Sequence, residues 1–123
     1  MRRLILGLWP AFLVLAGCGD SLPPQTDPIK GREVLTSTLT KWSAGKSMND
    51  VRGESPPVVV YDPDWEAGQK LILFELDRAD GRSGVDLLVS VKLTLEGKSG
   101  KPLTKTVNFC VAIGAQTVVT RKQ

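Results

Sequence analysis

Between Val85 and Glu96 the chain is written with a period of two. Val85, Leu87, Val89, Val91, Leu93 and Leu95 alternate with Asp86, Leu88, Ser90, Lys92, Thr94 and Glu96. Successive side chains of a strand point to opposite faces, so this pattern predicts a long strand with one buried face. Six apolar side chains at roughly 1.5–3 kcal/mol each make it the largest local source of stability in the chain. The flanking segments repeat the pattern. Lys70–Asp77 places Ile72, Phe74 and Leu76 on one face, and 103–113 places Leu103, Val107, Phe109, Val111 and Ile113 on one face. The connections 77–84 and 97–102 are too short for parallel crossovers, which predicts an antiparallel meander. A last strand over 116–121 extends it. Ser55-Pro56-Pro57 forces extended backbone ahead of another strand, Val58–Tyr61.

A sheet with one apolar face needs a cover, and the chain offers one of sufficient length. Asp27 is placed to cap a helix, Pro28 suits its first position and Gly45 its end. Between them Leu35, Leu39 and Trp42 fall on one side with Gly31 and Thr38. The predicted fold is therefore α+β: an N-terminal helix over Pro28–Ala44 packed on a four- to five-stranded antiparallel meander. That is the architecture of cystatin-like and NTF2-like rolls, an analogy of shape that carries no function.

Composition removes several kinds of chemistry. The chain has 123 residues, no histidine and two cysteines, Cys18 and Cys110. Without histidine there is no imidazole general base and no Ser-His or Cys-His nucleophile pair. With Cys18 committed elsewhere (below), Cys110 has no partner for an internal disulfide and no companions for a cysteine-rich metal site. As an alternating neighbour of Phe109 and Val111, Cys110 is expected on the polar side of the sheet with Asn108. Activating it as a nucleophile would require a nearby cation such as Lys92 or Lys105.

The first eighteen residues carry an address. Arg2 and Arg3 precede an apolar run from Leu4 to Leu15, followed by Ala16, Gly17 and Cys18. Leu4–Gly17 is interrupted by Gly7 and Pro10 and falls short of the roughly 20 residues a spanning helix needs. The order of charge, apolar run and small residues is that of a secretory signal, and Leu15-Ala16-Gly17-Cys18 resembles the lipobox of bacterial lipoproteins. The resemblance implies cleavage between Gly17 and Cys18 and acylation of Cys18, with a membrane partner through that lipid. It also implies a sorting rule in which Asp directly after the cysteine retains the protein in the inner membrane. Gly19 holds that position, so the outer membrane is favoured. The layout is then a signal peptide over 1–17, a lipidated tether over 18–27 and a single domain over 28–123. Loss of Arg2 and Arg3 lowers the formal charge from +3 to +1. That leaves no basic face for nucleic acid.

Within the domain, Asp62-Pro63-Asp64-Trp65-Glu66 followed by Gly68 resembles the opening of a calcium loop. It departs from the EF-hand pattern twice: the glycine is one place late, and Leu73 stands where the bidentate glutamate belongs. It reads better as a proline-fixed turn, with Trp65 folded back as a lid on the core. Gln116–Thr120 resembles the Q-x-V-x-G wedge of cystatin inhibitors, with Thr120 in the glycine position; a terminal strand is the better reading. The longer stretch Ser55–Gly68 is similar to an S-P-P-x-x-V-x-D-x-D-W-x-A-G segment of small bacterial lipoproteins of uncharacterised activity. The expectation is a non-enzymatic envelope module that needs no cofactor or metal, with another envelope protein as a possible partner and Tyr61, Asp64 and Trp65 as candidate contacts. The alternative is a small-ligand carrier or enzyme with a pocket between helix and sheet, for which Trp42 joins those three.

Overall fold

The structure, a computed structural model, describes residues 24–122. The signal peptide, the Gly17–Cys18 junction and most of the tether lie outside the described residues. Helix α1 (Pro28–Ser43) begins where its sequence says it should. The Asp27 carboxylate accepts from the Lys30 amide at 3.2 Å and Pro28 takes the first helical position. It stops where Gly45 turns left-handed at φ 94°, and the Lys46 amide closes back on the Lys41 carbonyl at 3.0 Å. Gly31, Leu35, Thr38, Leu39 and Trp42 form its buried stripe, the side expected from the sequence.

A second helix, α2 (Met48–Arg52), is held by a reciprocal capping box between Ser47 and Asp50. Strand β1 (Val58–Tyr61) follows, then one helical turn, α3 (Pro63–Glu66), and strands β2 (Leu71–Ser83), β3 (Asp86–Glu96), β4 (Pro102–Ile113) and β5 (Thr117–Lys122). The order across the sheet is β1-β5-β4-β3-β2. Strands β2 to β5 form the antiparallel meander that the short connections require. The expectation of a purely antiparallel sheet needs correction, because β1 pairs with β5 in parallel, Val58 opposite Thr117 and Tyr61 opposite Thr120. The two strands are joined by the whole meander, so no tight connection constrains their relative direction. The domain is α+β with a mixed five-stranded sheet.

The alternation over β3 is realised in full at its centre: Leu87, Val89, Val91, Leu93 and Leu95 are each completely buried. Val85 stops short of the core, in the turn whose left-handed residue is Gly84. Strand β2 departs further from expectation. Ile72 does not share a face with Phe74 and Leu76. A register shift between Leu71 and Leu73 puts Leu71 in the core and leaves Ile72 half exposed. A second irregularity, between Leu76 and Asp80, lets pairing resume to Ser83 through residues expected to form a loop. Both lie on an edge strand, where bulges and outward charges such as Glu75 and Asp77 discourage further pairing. The other edge, β1, has no charge of its own; α2 packs beside it, and Val58, Val59 and Val60 are all buried.

Thr26 joins the N-terminal segment to the sheet. Its amide donates to the Val85 carbonyl at 2.9 Å, its hydroxyl accepts from the Ile113 amide at 3.4 Å, and its carbonyl accepts from Arg82 at 2.7 Å. One turn further on, Gly31 lets α1 approach the sheet closely, since a Cβ there would stand 2.6 Å from Cδ2 of the buried Leu87. Gly31→Val is expected to destabilise the domain by about 1–3 kcal/mol through overpacking, read as a lower urea midpoint with an unchanged slope. A variant as stable as the parent would show that α1 lifts from the sheet without cost.

Candidate functional site

Strands β1 and β2 occupy opposite edges, so the segment between them must cross the sheet, a width of roughly 19 Å for four strand spacings. Asp62 starts the crossing. One carboxylate oxygen accepts from the amides of Asp64 at 2.8 Å and Trp65 at 3.0 Å, capping α3. The other accepts from Nη1 of Arg121 on β5 at 2.9 Å. Nη2 of the same guanidinium reaches Asp64 at 2.5 Å, and Lys105 on β4 reaches that Asp64 oxygen at 3.0 Å. Two carboxylates therefore face two cations, with the Asp62 side chain fully buried. Burial by itself would raise the Asp64 pKa. The hydrogen bonds from Arg121 and then Lys105 outweigh it and hold the carboxyl below its usual value of 3.8.

Trp65, the next residue, is 5% exposed and stacks on Trp42 of α1, with ring centroids 5.1 Å apart and planes 3° from parallel. Each indole N–H ties down a different connection. Trp65 donates to the Lys46 carbonyl after α1, and Trp42 to the Gln69 carbonyl before β2, both at 2.9 Å. The stack closes the core at this end, with Trp42 3% exposed.

The candidate residues are thus divided. Asp64, Trp65 and Trp42 are brought together, but as parts of a closed, charge-balanced lid. Tyr61 stands apart on the outer face, 56% exposed. It lines two open grooves, of about 610 Å³ and 440 Å³, on either side of β1, and Arg52 at the end of α2 is common to both. Arg52 has no ion-pair or hydrogen-bond partner among the described residues. The space between α1 and the sheet is filled by Leu35, Leu39, Trp42 and Phe109, each no more than 3% exposed.

Sequence reasoning missed Arg52 and Arg121, and it considered Lys105 only as a cation near Cys110. Lys105 and Arg121 nonetheless left a signal of their place in the site. Lys105 interrupts the apolar face of β4 between Leu103 and Val107, and Arg121 continues the inward series Thr117, Val119 on β5. A charge at an inward position needs a partner, and Asp62 and Asp64 are the partners. Lys105 therefore points away from Cys110, which lies on the outer face between Leu88 and Thr120 and is 7% exposed. Burial pushes its thiol pKa up, and Asp86 adds to the rise. It is a poor nucleophile. The stretch resembling a cystatin wedge forms the start of β5, paired on both sides.

Among the described residues no helix is long and apolar enough to cross a membrane, and no cluster of three or more acidic or cysteine side chains is placed to hold a metal ion. Arg121→Met leaves Asp62 buried without its counter-charge and is expected to cost about 3–5 kcal/mol. Lys105→Met, at a third-exposed site, is expected to cost less than about 1 kcal/mol. Equal losses in chemical denaturation would show that Arg121 does not anchor the cluster. The depressed Asp64 carboxyl adds stability that is complete above about pH 3.8 and is lost as the pH falls below it. Melting temperatures should fall over that acid window in the parent protein and fall less steeply in Asp64→Asn. No family model matches the chain, and neither a curated protein nor a solved structure is similar to it.

Proposed function

We propose that this chain is a lipid-anchored protein of the bacterial cell envelope, carried on the outer membrane, whose domain is a non-enzymatic binding or structural module. The observation that carries the reading is the Leu15-Ala16-Gly17-Cys18 box at the end of an apolar run, eight residues before Thr26. Cleavage at Gly17–Cys18 and acylation of Cys18 would leave a domain that begins almost at once. A single acyl chain holds a protein only marginally, and the two or three chains of a lipoprotein cysteine make release very slow. The domain chemistry supports a role without turnover. Its clustered carboxylates are neutralised by Arg121 and Lys105, which makes Asp64 a weak base, and its thiol is kept protonated. One helix laid across a meander also favours the roll architecture, to which the parallel strand β1 is an addition.

Processing tests the reading directly. Globomycin, which blocks lipoprotein signal cleavage, is expected to accumulate the precursor in the native host. Cys18→Ser should abolish incorporation of labelled palmitate and release the protein from membranes washed in carbonate. Normal processing under globomycin, or a Cys18→Ser form that stays with the membrane, would remove the anchor from the account.

A further inference from the structure

We infer that the groove beside β1, lined by Arg52, receives the phosphate of a phospholipid headgroup in the leaflet to which the chain is tethered. The inference takes its setting from the lipid-anchor reading and adds a site to it. Three observations converge on the place. Thr26, in the last residues of the 18–27 tether, is bonded to Val85 and Ile113 at one end of the sheet. The turn that begins one residue after Ile113, Gly114–Gln116, lines the 610 Å³ groove. Arg52 is the one charged side chain on that groove and is without an internal partner among the described residues.

Geometry limits which surface can meet the bilayer. Thr26 lies eight residues beyond Cys18, and at full extension those eight steps reach at most about 26–29 Å. A domain of this size is roughly 30–35 Å across, from a radius of gyration near 13 Å. A chain that short cannot run round the domain to present the lid end, with its Gly97–Lys101 turn, to the membrane. The end that carries Thr26, Gly84 and Gly114–Gln116 is the one the tether holds nearest the headgroups.

Chemistry then selects the ligand. A guanidinium offers paired N–H donors that match two oxygens of a phosphate. Beside it the groove is lined by Tyr61 and Gln116, whose phenol and side-chain amide are further donors. One arginine makes a weak site in free solution. Under a tether this short the effective headgroup concentration is in the millimolar range or above, so a weak site is filled. The contact would fix how the domain sits on the membrane, with Trp42, Trp65 and α3 directed outward.

The test supplies the anchor by chemistry. The chain from Cys18 onward, which keeps every described residue, is coupled through Cys18 to a maleimide lipid in nanodiscs, with Cys110→Ala leaving one thiol. Spin-labelled phospholipid headgroups in those nanodiscs then report proximity by broadening backbone amide signals. Broadening is expected to be strongest at Gly114–Thr117 and absent at Gly97–Lys101. Arg52→Gln should reduce it in the groove at least several-fold while the domain stays tethered. Strongest broadening at Gly97–Lys101, or none lost in Arg52→Gln, would overturn the inference. Glycerophosphate added to the uncoupled chain should shift groove resonances only above about 1 mM; micromolar saturation would assign the groove to a free phosphate ligand instead. Because the lipid is attached chemically, a failure here is separate from a failure of native acylation.

Discussion

The carboxylate of Asp62 joins parts of the chain that have no other reason to meet. With one oxygen it starts the helical turn that carries Trp65, and with the other it binds a guanidinium from the last strand. Because β1 and β2 lie on opposite edges, the crossing segment needs fixed points, and this is the first of them. Buried ion pairs repay their desolvation only when the remaining hydrogen-bond positions are also used. Here they are used: two amides and an arginine on Asp62, two cations on Asp64. The tryptophan stack depends on that arrangement, since α3 sets the direction in which Trp65 leaves the backbone.

The second fixed point is apolar. Trp42 and Trp65 meet face to face at the end of α1, and their N–H groups hold the two connections that flank the stack. An indole buried this way contributes area and a directional bond together. Lys41 and Lys46 both reach Glu54 beyond α2, at 2.6 and 2.5 Å, which ties the same corner from the outside. Those surface pairs add little stability by themselves. They limit where the 44–54 segment can lie, and with it the position of Arg52.

Local patterns made a large part of this readable in the sequence. Strand β3 follows from its alternation, and α1 from Asp27, Pro28 and Gly45. The lid also had a local signature, since Pro63 and the aspartates beside it mark a capped turn. What escaped was non-local. Nothing near Val58–Tyr61 says that it will lie parallel to a strand more than fifty residues later. The second half of β2 escaped because an edge strand facing water can carry Asp77, Arg78 and Asp80 as a loop would, and the bulge shifts its period. Arg121 escaped because its partner lies at the far end of the meander.

Burial of Cys110 has a consequence in any oxidising medium. Disulfide exchange begins with attack by a thiolate, and a thiol whose pKa is raised supplies little of it near neutral pH. At 7% exposure the sulfur is also hard for a second protein to reach. Copies of the domain brought side by side would therefore not become covalently linked through it, and the fold protects this cysteine by burial, without a disulfide partner.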